Sequence, residues 1–439
     1  MPAAGPVPAA GPEVRTLQEW LTRQESVHPQ TIDLGLARVS EVARTLGIDK
    51  PTCPVITVGG TNGKGSTVTH AEAFLRAGGL TTGLFTSPHF IRYNERICVN
   101  GAEVIDEELV SAFERIEAAR GPITLTYFEF NALAALLIFT DRKVDAMVLE
   151  VGLGGRLDAA NLVDADVGVV CSIGFDHRDW LGDTLELIGA EKAGIFRAGR
   201  PAVLGTDDMP RSVYEAIEKL SARGVVAGKD FKWSVHGDRW NYRGLKLSFD
   251  DLPPSALVGA IQYRNAATAL AAVESLGLGP SFRLDRDAVS RALGMVRLAG
   301  RFQIVKGDGG PGEWILDIAH NEPAAKIFAE HVRARPVPGE NGRTFAVIGI
   351  LGDKDAREIV GAAKPLVDHW IACLLPGPRG TTAQQLVQRL DLASGSVTLA
   401  DSVAAGCEAA RAATGPPDRV LVFGSVQTVG PALQWLRIY

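Results

Sequence analysis

Short runs of Val, Ile and Leu alternate along the chain with longer stretches that read as helices. The first apolar runs fall at residues 55–58, 146–151 and 167–173. Runs this continuous predict strands of a largely parallel sheet covered by helices on both faces. A helix is predicted after the first run, opening at Ser66 and ending at Ala77, and another after the third, running through Lys192. Beyond about residue 205 the character changes. The segment 232–249 (KWSVHGDRWNYRGLKLSF) predicts short antiparallel strands with polar turns, and a helix follows over 263–276, stopped by Gly277, Gly279 and Pro280. Residues 314–318, 345–350 and 420–423 then open a second α/β series. No repeat of fixed period is present. The boundary falls just before Arg301, which divides the chain into an N-terminal domain, 1–296, and a smaller C-terminal domain, 297–439.

Composition agrees with two packed domains. At roughly 150 residues per domain, 439 residues allow two or three. Hydrophobic residues make up 46% and charged residues 22%, which excludes disordered, collagenous and coiled-coil chains. The formal net charge is −6, so nothing global favours nucleic acid or an anionic membrane, and any polyanion must be held locally. Five cysteines at 53, 98, 171, 373 and 407 form no CxxC cluster, which fits a reducing compartment and argues against structural zinc. The start, MPAAGPVPAAGPEV, lacks the basic and apolar segments of a signal peptide; residues 1–14 are expected to be a flexible tail. The longest apolar run, 132–139, falls far short of the ~18 residues of a membrane span. A cytoplasmic protein is expected, with no membrane or nucleic-acid partner.

The strongest chemical signal is VITVGGTNGKGST at 55–67, a strand running into a glycine-rich loop that carries Lys64 and opens a helix. Glycines let backbone N–H groups approach phosphate oxygens, the helix N-terminus adds a positive dipole, and the lysine adds a full charge. The loop departs from GxxxxGK[ST]: position 58 is Val, and Gly65 separates Lys64 from Ser66. Phosphate chemistry calls for a divalent cation on oxygen or imidazole ligands at strand ends. Glu150 ends the second run before the glycine-rich VGLGGR, His177 follows the third in GFDH, and Ser87 ends another apolar segment in FTSPH. Taken singly, His177 reads at least as well as a structural residue, and Lys192 reads as a solvated helix lysine. Asp317 and His320, in LDIAHN, read equally as a ligand site or a structural pair. Asp353, Lys354 and Asp355 read as a loop charge cluster. No GxSxG elbow, catalytic Cys/His pairing or HExxH occurs, which leaves hydrolase readings unsupported.

As a set, VGGTNGKGST, LFTSPHFIRYNERICVNG, TYFEF, LEVGLGGRLDAAN, SIGFDHRDWLGDTLELIGAEKAGIF, LAGRFQIV and LDIAHNEPAA resemble the folylpolyglutamate synthase/dihydrofolate synthase family of the Mur ligase group. The resemblance implies a Mur-ligase-like P-loop ATPase domain with a parallel sheet, a smaller Rossmann-like C-terminal domain, and ATP-dependent amide formation with L-glutamate. It places the ATP phosphates on Gly60, Thr61, Asn62, Gly63, Lys64, Gly65 and Ser66, with Asn265, Arg301 and Asp317 as further nucleotide contacts. It gives Ser87, Glu150 and His177 to magnesium, with two Mg2+ ions expected, and matches Lys192 to a lysine that relatives carry as N6-carboxylysine. Arg96, His320 and Ser425 fall to glutamate; Asp33, Leu34, Gly35, Leu36, Phe128 and Ala159 fall to the pterin substrate. Lys64, Lys192 and His320 are the implied catalytic groups, in a monomer. In place of His-Asn-Pro the chain reads His320-Asn321-Glu322-Pro323, with Pro still placed for a first helical turn. A cell-wall Mur ligase, a P-loop NTPase without ligase activity and a non-catalytic nucleotide-binding protein are the competing readings.

Overall fold

A computed structural model describes residues 15–30, 32–307, 309–390 and 394–438; the tail expected over 1–14 lies outside them. Strands Val55–Gly59 (β1), Thr82–Phe85 (β2), Ile97–Val99 (β3), Ala102–Glu103 (β4), Ala146–Glu150 (β5), Val167–Val170 (β6), Pro201–Leu204 (β7) and Arg223–Val226 (β8) form one sheet, ordered β4-β3-β2-β5-β1-β6-β7-β8. Neighbours from β2 to β8 are parallel, and β3 and β4 add an antiparallel edge. Every residue of β1 and β5 is buried, because apolar clusters lie on both faces. On one face Val58 joins Phe74 and Leu270 from helices Lys64–Ala77 and Ile261–Ser275; on the other Leu149 joins Phe85 and Phe130. From β1 the chain runs to β2 on one side, and from β5 it crosses to β6 on the other, so the carboxyl ends of β5, β1 and β6 flank the crevice where open α/β sheets bind ligands.

Lys232–His236 (β9), Arg239–Arg243 (β10) and Ser248–Leu252 (β11) form the antiparallel sheet expected there. Trp240 and Tyr242 of β10 point into the first core and are fully buried. The last sheet contains Gln303–Lys306 (β12), Glu313–Asp317 (β13), Thr344–Ile348 (β14), His369–Cys373 (β15), Val397–Ala400 (β16) and Arg419–Phe423 (β17), in the order β12-β13-β17-β14-β15-β16. Only β12 runs antiparallel to its neighbour.

Two helix expectations need correction. The helix after β1 starts at Lys64, not Ser66, because Gly63 adopts φ +89 and already serves as its N-cap. The helix drawn through Lys192 is two, Arg178–Leu181 and Leu185–Ala193, separated at Gly182 with φ +93. The long apolar run sits in helix Tyr127–Asp141, buried on nearly every side. Among the described residues no helix is long and apolar enough to cross a membrane.

Candidate active site

The loop between β1 and helix Lys64–Ala77 opens onto a cavity of about 1040 Å³ lined by residues of both large sheets' loops. Two cross-links fix the loop: the Thr61 N–H donates to Ser172 O at 2.8 Å, and Thr61 Oγ1 donates to Gly174 O at 3.0 Å. Lys64 Nζ donates to Gly60 O at 2.9 Å and Thr61 O at 3.3 Å, which keeps the ammonium over the loop. Gly63 could not be another residue without strain. Its φ is left-handed, and a Cβ there would come 2.9 Å from Asn265 Oδ1. Asn265, from helix Ile261–Ser275, is thereby seated against the loop, its amide held by Gln262 Oε1 at 3.0 Å.

Facing the loop, Glu150 ends β5 only 2% exposed; its Oε2 accepts from the Thr86 hydroxyl and from the Ser87 N–H at 3.1 Å. Ser87, Glu150 and His177 all line the cavity. His177 adopts φ +50, an uncommon conformation for a side chain of this size, and burial lowers its pKa to about 4, which keeps the imidazole neutral at pH 7. Among the described residues no three His, Cys, Asp or Glu side chains group as a metal site. One carboxylate, one hydroxyl and one neutral imidazole beside a phosphate loop nevertheless suit a hard cation that completes its shell with phosphate and water oxygens.

Lys192 is not the solvated residue its sequence context predicts. It is 5% exposed, at the end of helix Leu185–Ala193. The glycine-rich turn after β5 lets that helix approach: a Cβ on Gly155 would lie 2.9 Å from the Lys192 Cα. Burial, reinforced by the charge of Lys64, lowers the Lys192 pKa from 10.5 to about 7.

Across the cavity, Asp317 ends β13 and accepts from the Phe302 N–H at 2.8 Å and the Ala319 N–H at 2.9 Å. Those two residues carry positive φ, +45 and +33, so the carboxylate holds two strained turns, one beside Arg301 and one beside His320. Burial raises the Asp317 pKa, opposed by Arg301. Arg301 Nη2 lies 3.8 Å from where a Gly65 Cβ would be and so reaches the start of helix Lys64–Ala77. The Nδ1 of His320 is buried and has no hydrogen-bond partner among the described residues. Asn321 caps helix Glu322–Ala334 and Pro323 sits in its first turn, as the sequence predicts.

Two residues that the sequence reading passed over belong to the same cleft. Asp176, only part of the GFDH motif at first sight, accepts from Lys354 Nζ at 2.6 Å and from Asn321 Nδ2 at 3.0 Å, and lies 3.5 Å from His320 Nε2. Burial pushes its pKa up, but His320, His177 and Lys354 outweigh that and hold the carboxyl far below its usual range. Lys354 is a loop residue, as expected, but buried and paired instead of solvated; its neighbour Asp355 caps helix Ala356–Ala363 and Asp353 meets Arg379. An Asp directly ahead of a His, in the loop after β6, was the only available signal.

The remaining candidates sit in two groups. Arg96 is buried outside the cavity lining, its guanidinium over the Tyr93 and Tyr127 rings and its Nε donating to the cavity-lining His89 at 2.7 Å. Ser425 lines the cavity, yet its hydroxyl caps helix Val426–Trp435 by accepting from the Thr428 N–H at 3.1 Å. Leu36, Phe128 and Ala159 share one apolar cluster. Nearby, Asp33 is held by Arg38 at 2.6 Å and His28 at 3.2 Å, and Arg38 also reaches Glu129 at 3.1 Å; Leu34 and Gly35 complete this half-buried turn.

A phosphate loop on a parallel sheet, closed over by a second α/β domain, is the architecture of the Mur ligases. The chain matches the Mur ligase middle domain over residues 58–273 and the Mur ligase glutamate ligase domain over 300–426. Within that class it belongs to the dihydrofolate synthase/folylpolyglutamate synthase family. A member from Escherichia coli is 44% identical over 418 residues, 95% of each chain, and one from Haemophilus influenzae is 40% identical over 431 residues, 94% of this chain and 96% of the relative. The structure of E. coli FolC with DHPP and ADP superposes with a TM-score of 0.89 at 43% identity, covering 97% of this chain and 98% of that one. The Yersinia pestis bifunctional enzyme with AMPPNP and Mn superposes at 0.87, with 39% identity over 96% and 98%.

Proposed function

We infer that the protein uses ATP to join L-glutamate to dihydropteroate and to the γ-carboxyl of tetrahydrofolates, through an acyl phosphate. One observation carries this reading: a single cavity gathers the Lys64 loop, Glu150 with Ser87 and His177, the buried Lys192, and, from the other side, Arg301, Asp317 and His320. The relatives crystallised with DHPP and ADP, and with Mn, AMPPNP and L-glutamate, support it. Residues 1–296 would hold ATP and pterin and residues 297–439 glutamate, in a cytoplasmic monomer.

ATP phosphorylates the pterin carboxylate; the glutamate amine attacks the acyl phosphate, and the tetrahedral adduct expels phosphate. No covalent bond to the enzyme is needed, so the chain must position reactants and offset charge. Residues 60–66 present N–H donors and the Lys64 ammonium to the phosphates, and Arg301 adds charge from the other domain. Ser87, Glu150 and His177 would hold Mg2+, which when bound screens the phosphate oxygens. Burial lowers the His320 pKa and favours the neutral ring, which suits it to take the proton that the glutamate ammonium must lose before its amine attacks. A Lys192 amine that is partly neutral at pH 7 can take up CO2 as a carbamate, N6-carboxylysine, which would help hold a second Mg2+. Asp33, fixed by Arg38 and His28, and the Leu36–Phe128–Ala159 cluster would receive the pterin, with Arg96 and Ser425 shaping the glutamate side.

Lys64→Ala and Glu150→Gln test the assignment. Each is expected to lower glutamate-dependent turnover by about 100-fold or more, with an unchanged circular dichroism spectrum. Near-normal turnover in both would sink it.

A further inference from the structure

Three contacts converge on Asp176 from the C-terminal domain, each from a different side chain. Lys354, in the loop after β14, donates to Oδ1 at 2.6 Å; Asn321 donates to Oδ2 at 3.0 Å; His320 Nε2 stands 3.5 Å from Oδ2. Beside them the amides of Asn62, in the phosphate loop, and Asn321 exchange hydrogen bonds in both directions at 3.2 Å. The Asp176 and Lys354 side chains are only 10% and 12% exposed, which sets this pair apart from the chain's many exposed surface ion pairs. Everything named lines, or lies at the edge of, the cavity that holds Lys64 and His177.

We propose that Asp176 and Lys354 form a positioning pair that seats the C-terminal domain on the phosphate loop and sets His320 against the bound substrates. The proposal rests on the ligase reading and adds the device that aligns its two halves. A carboxylate buried at a seam is stable there only with a matching cation. Lys354 supplies it, leaving Oδ2 to orient Asn321 and His320. Removing the ammonium leaves the Asp176 charge buried and unpaired, and the seam relaxes by letting water in, which parts the two domains.

Full-length Lys354→Met, which keeps the apolar stem, and Asp176→Asn test this, with Lys354→Arg as the conservative control. Without ligands, small-angle X-ray scattering is expected to show a larger radius of gyration for the first two than for the wild type, with melting still cooperative. In turnover, Lys354→Met should raise the KM for glutamate and lower kcat, reducing kcat/KM by about 30-fold or more. ADP affinity by calorimetry should fall by a smaller factor than kcat/KM for glutamate, because Lys64 and its loop stay in place while only Arg301 and Asp317 withdraw with the C-terminal domain, and Lys354→Arg should recover most of the loss. A merely structural residue would instead weaken ADP and glutamate by the same factor. Unchanged scattering overturns the proposal whatever the activity, and so does an opened seam with unaltered glutamate kinetics. A wild-type protein with no glutamate-dependent turnover would refute the ligase reading instead, while the scattering comparison would still decide the pair.

Discussion

Burial leaves the Lys192 ammonium short of water and next to Lys64, so its proton is held only to about pH 7 instead of 10.5. The sign of the consequence follows from linkage. The folded state favours the neutral amine, so the penalty is absent above pH 10.5 and grows as pH falls toward 7. In CO2-free buffer at pH 7, Lys192→Met is therefore expected to melt a few degrees higher than wild type, from about 1–2 kcal/mol of relieved burial. The gain should shrink as pH is raised toward 10, and turnover should be lost. A lower melting temperature with retained turnover would contradict this role. Retaining a group that costs stability is what a functional site does, since activity often requires residues that the fold alone would discard.

The glycine-rich turn after β1 shows what an element contributes beyond its residues. Gly63 carries φ +89 and faces Asn265 Oδ1 at 2.9 Å from the position of a Cβ. Gly63→Ala should cost about 1–2 kcal/mol of backbone strain. By tilting the first helical turn, it should also raise the KM for ATP at least about 10-fold, with glutamate KM little affected. Adding Asn265→Ala would relieve the steric part only, so no recovery of folding stability beyond about half is expected; full recovery would show that the left-handed conformation is dispensable.

Strands and loop chemistry were legible because both are local: a buried parallel strand reads as an apolar run, and a phosphate loop must lie between a strand and a helix. Element ends were less so. β6 stops at Val170, three residues before its apolar run ends, because the chain there turns to bind Thr61. The burial of Lys192, which only the family resemblance singles out, and the partner of Lys354 could not be read from local sequence. The burial of the first depends on a turn at Gly155, and the partner of the second lies 178 residues away.

At the scale of the whole molecule, a chain of net charge −6 concentrates cations where two domains meet. Lys64, Arg301 and Lys354 all face one cavity, with Asp176, Glu150 and Asp317 fixed among them by short hydrogen bonds. This division would suit an activated carboxylate that must be kept from water: the Lys64 loop and Arg301, Asp317 and His320 come from different sheets and meet in one cavity. A net charge of −6 provides no long-range attraction for acidic substrates, so capture would fall to these few groups. The most direct test is mass analysis of the products formed from dihydropteroate or tetrahydrofolate with ATP and L-glutamate, alongside phosphate release. One glutamyl addition per phosphate released, with both absent when glutamate is omitted, is the expected result. Phosphate release that proceeds equally without pterin and glutamate, with no glutamylated product, would contradict it.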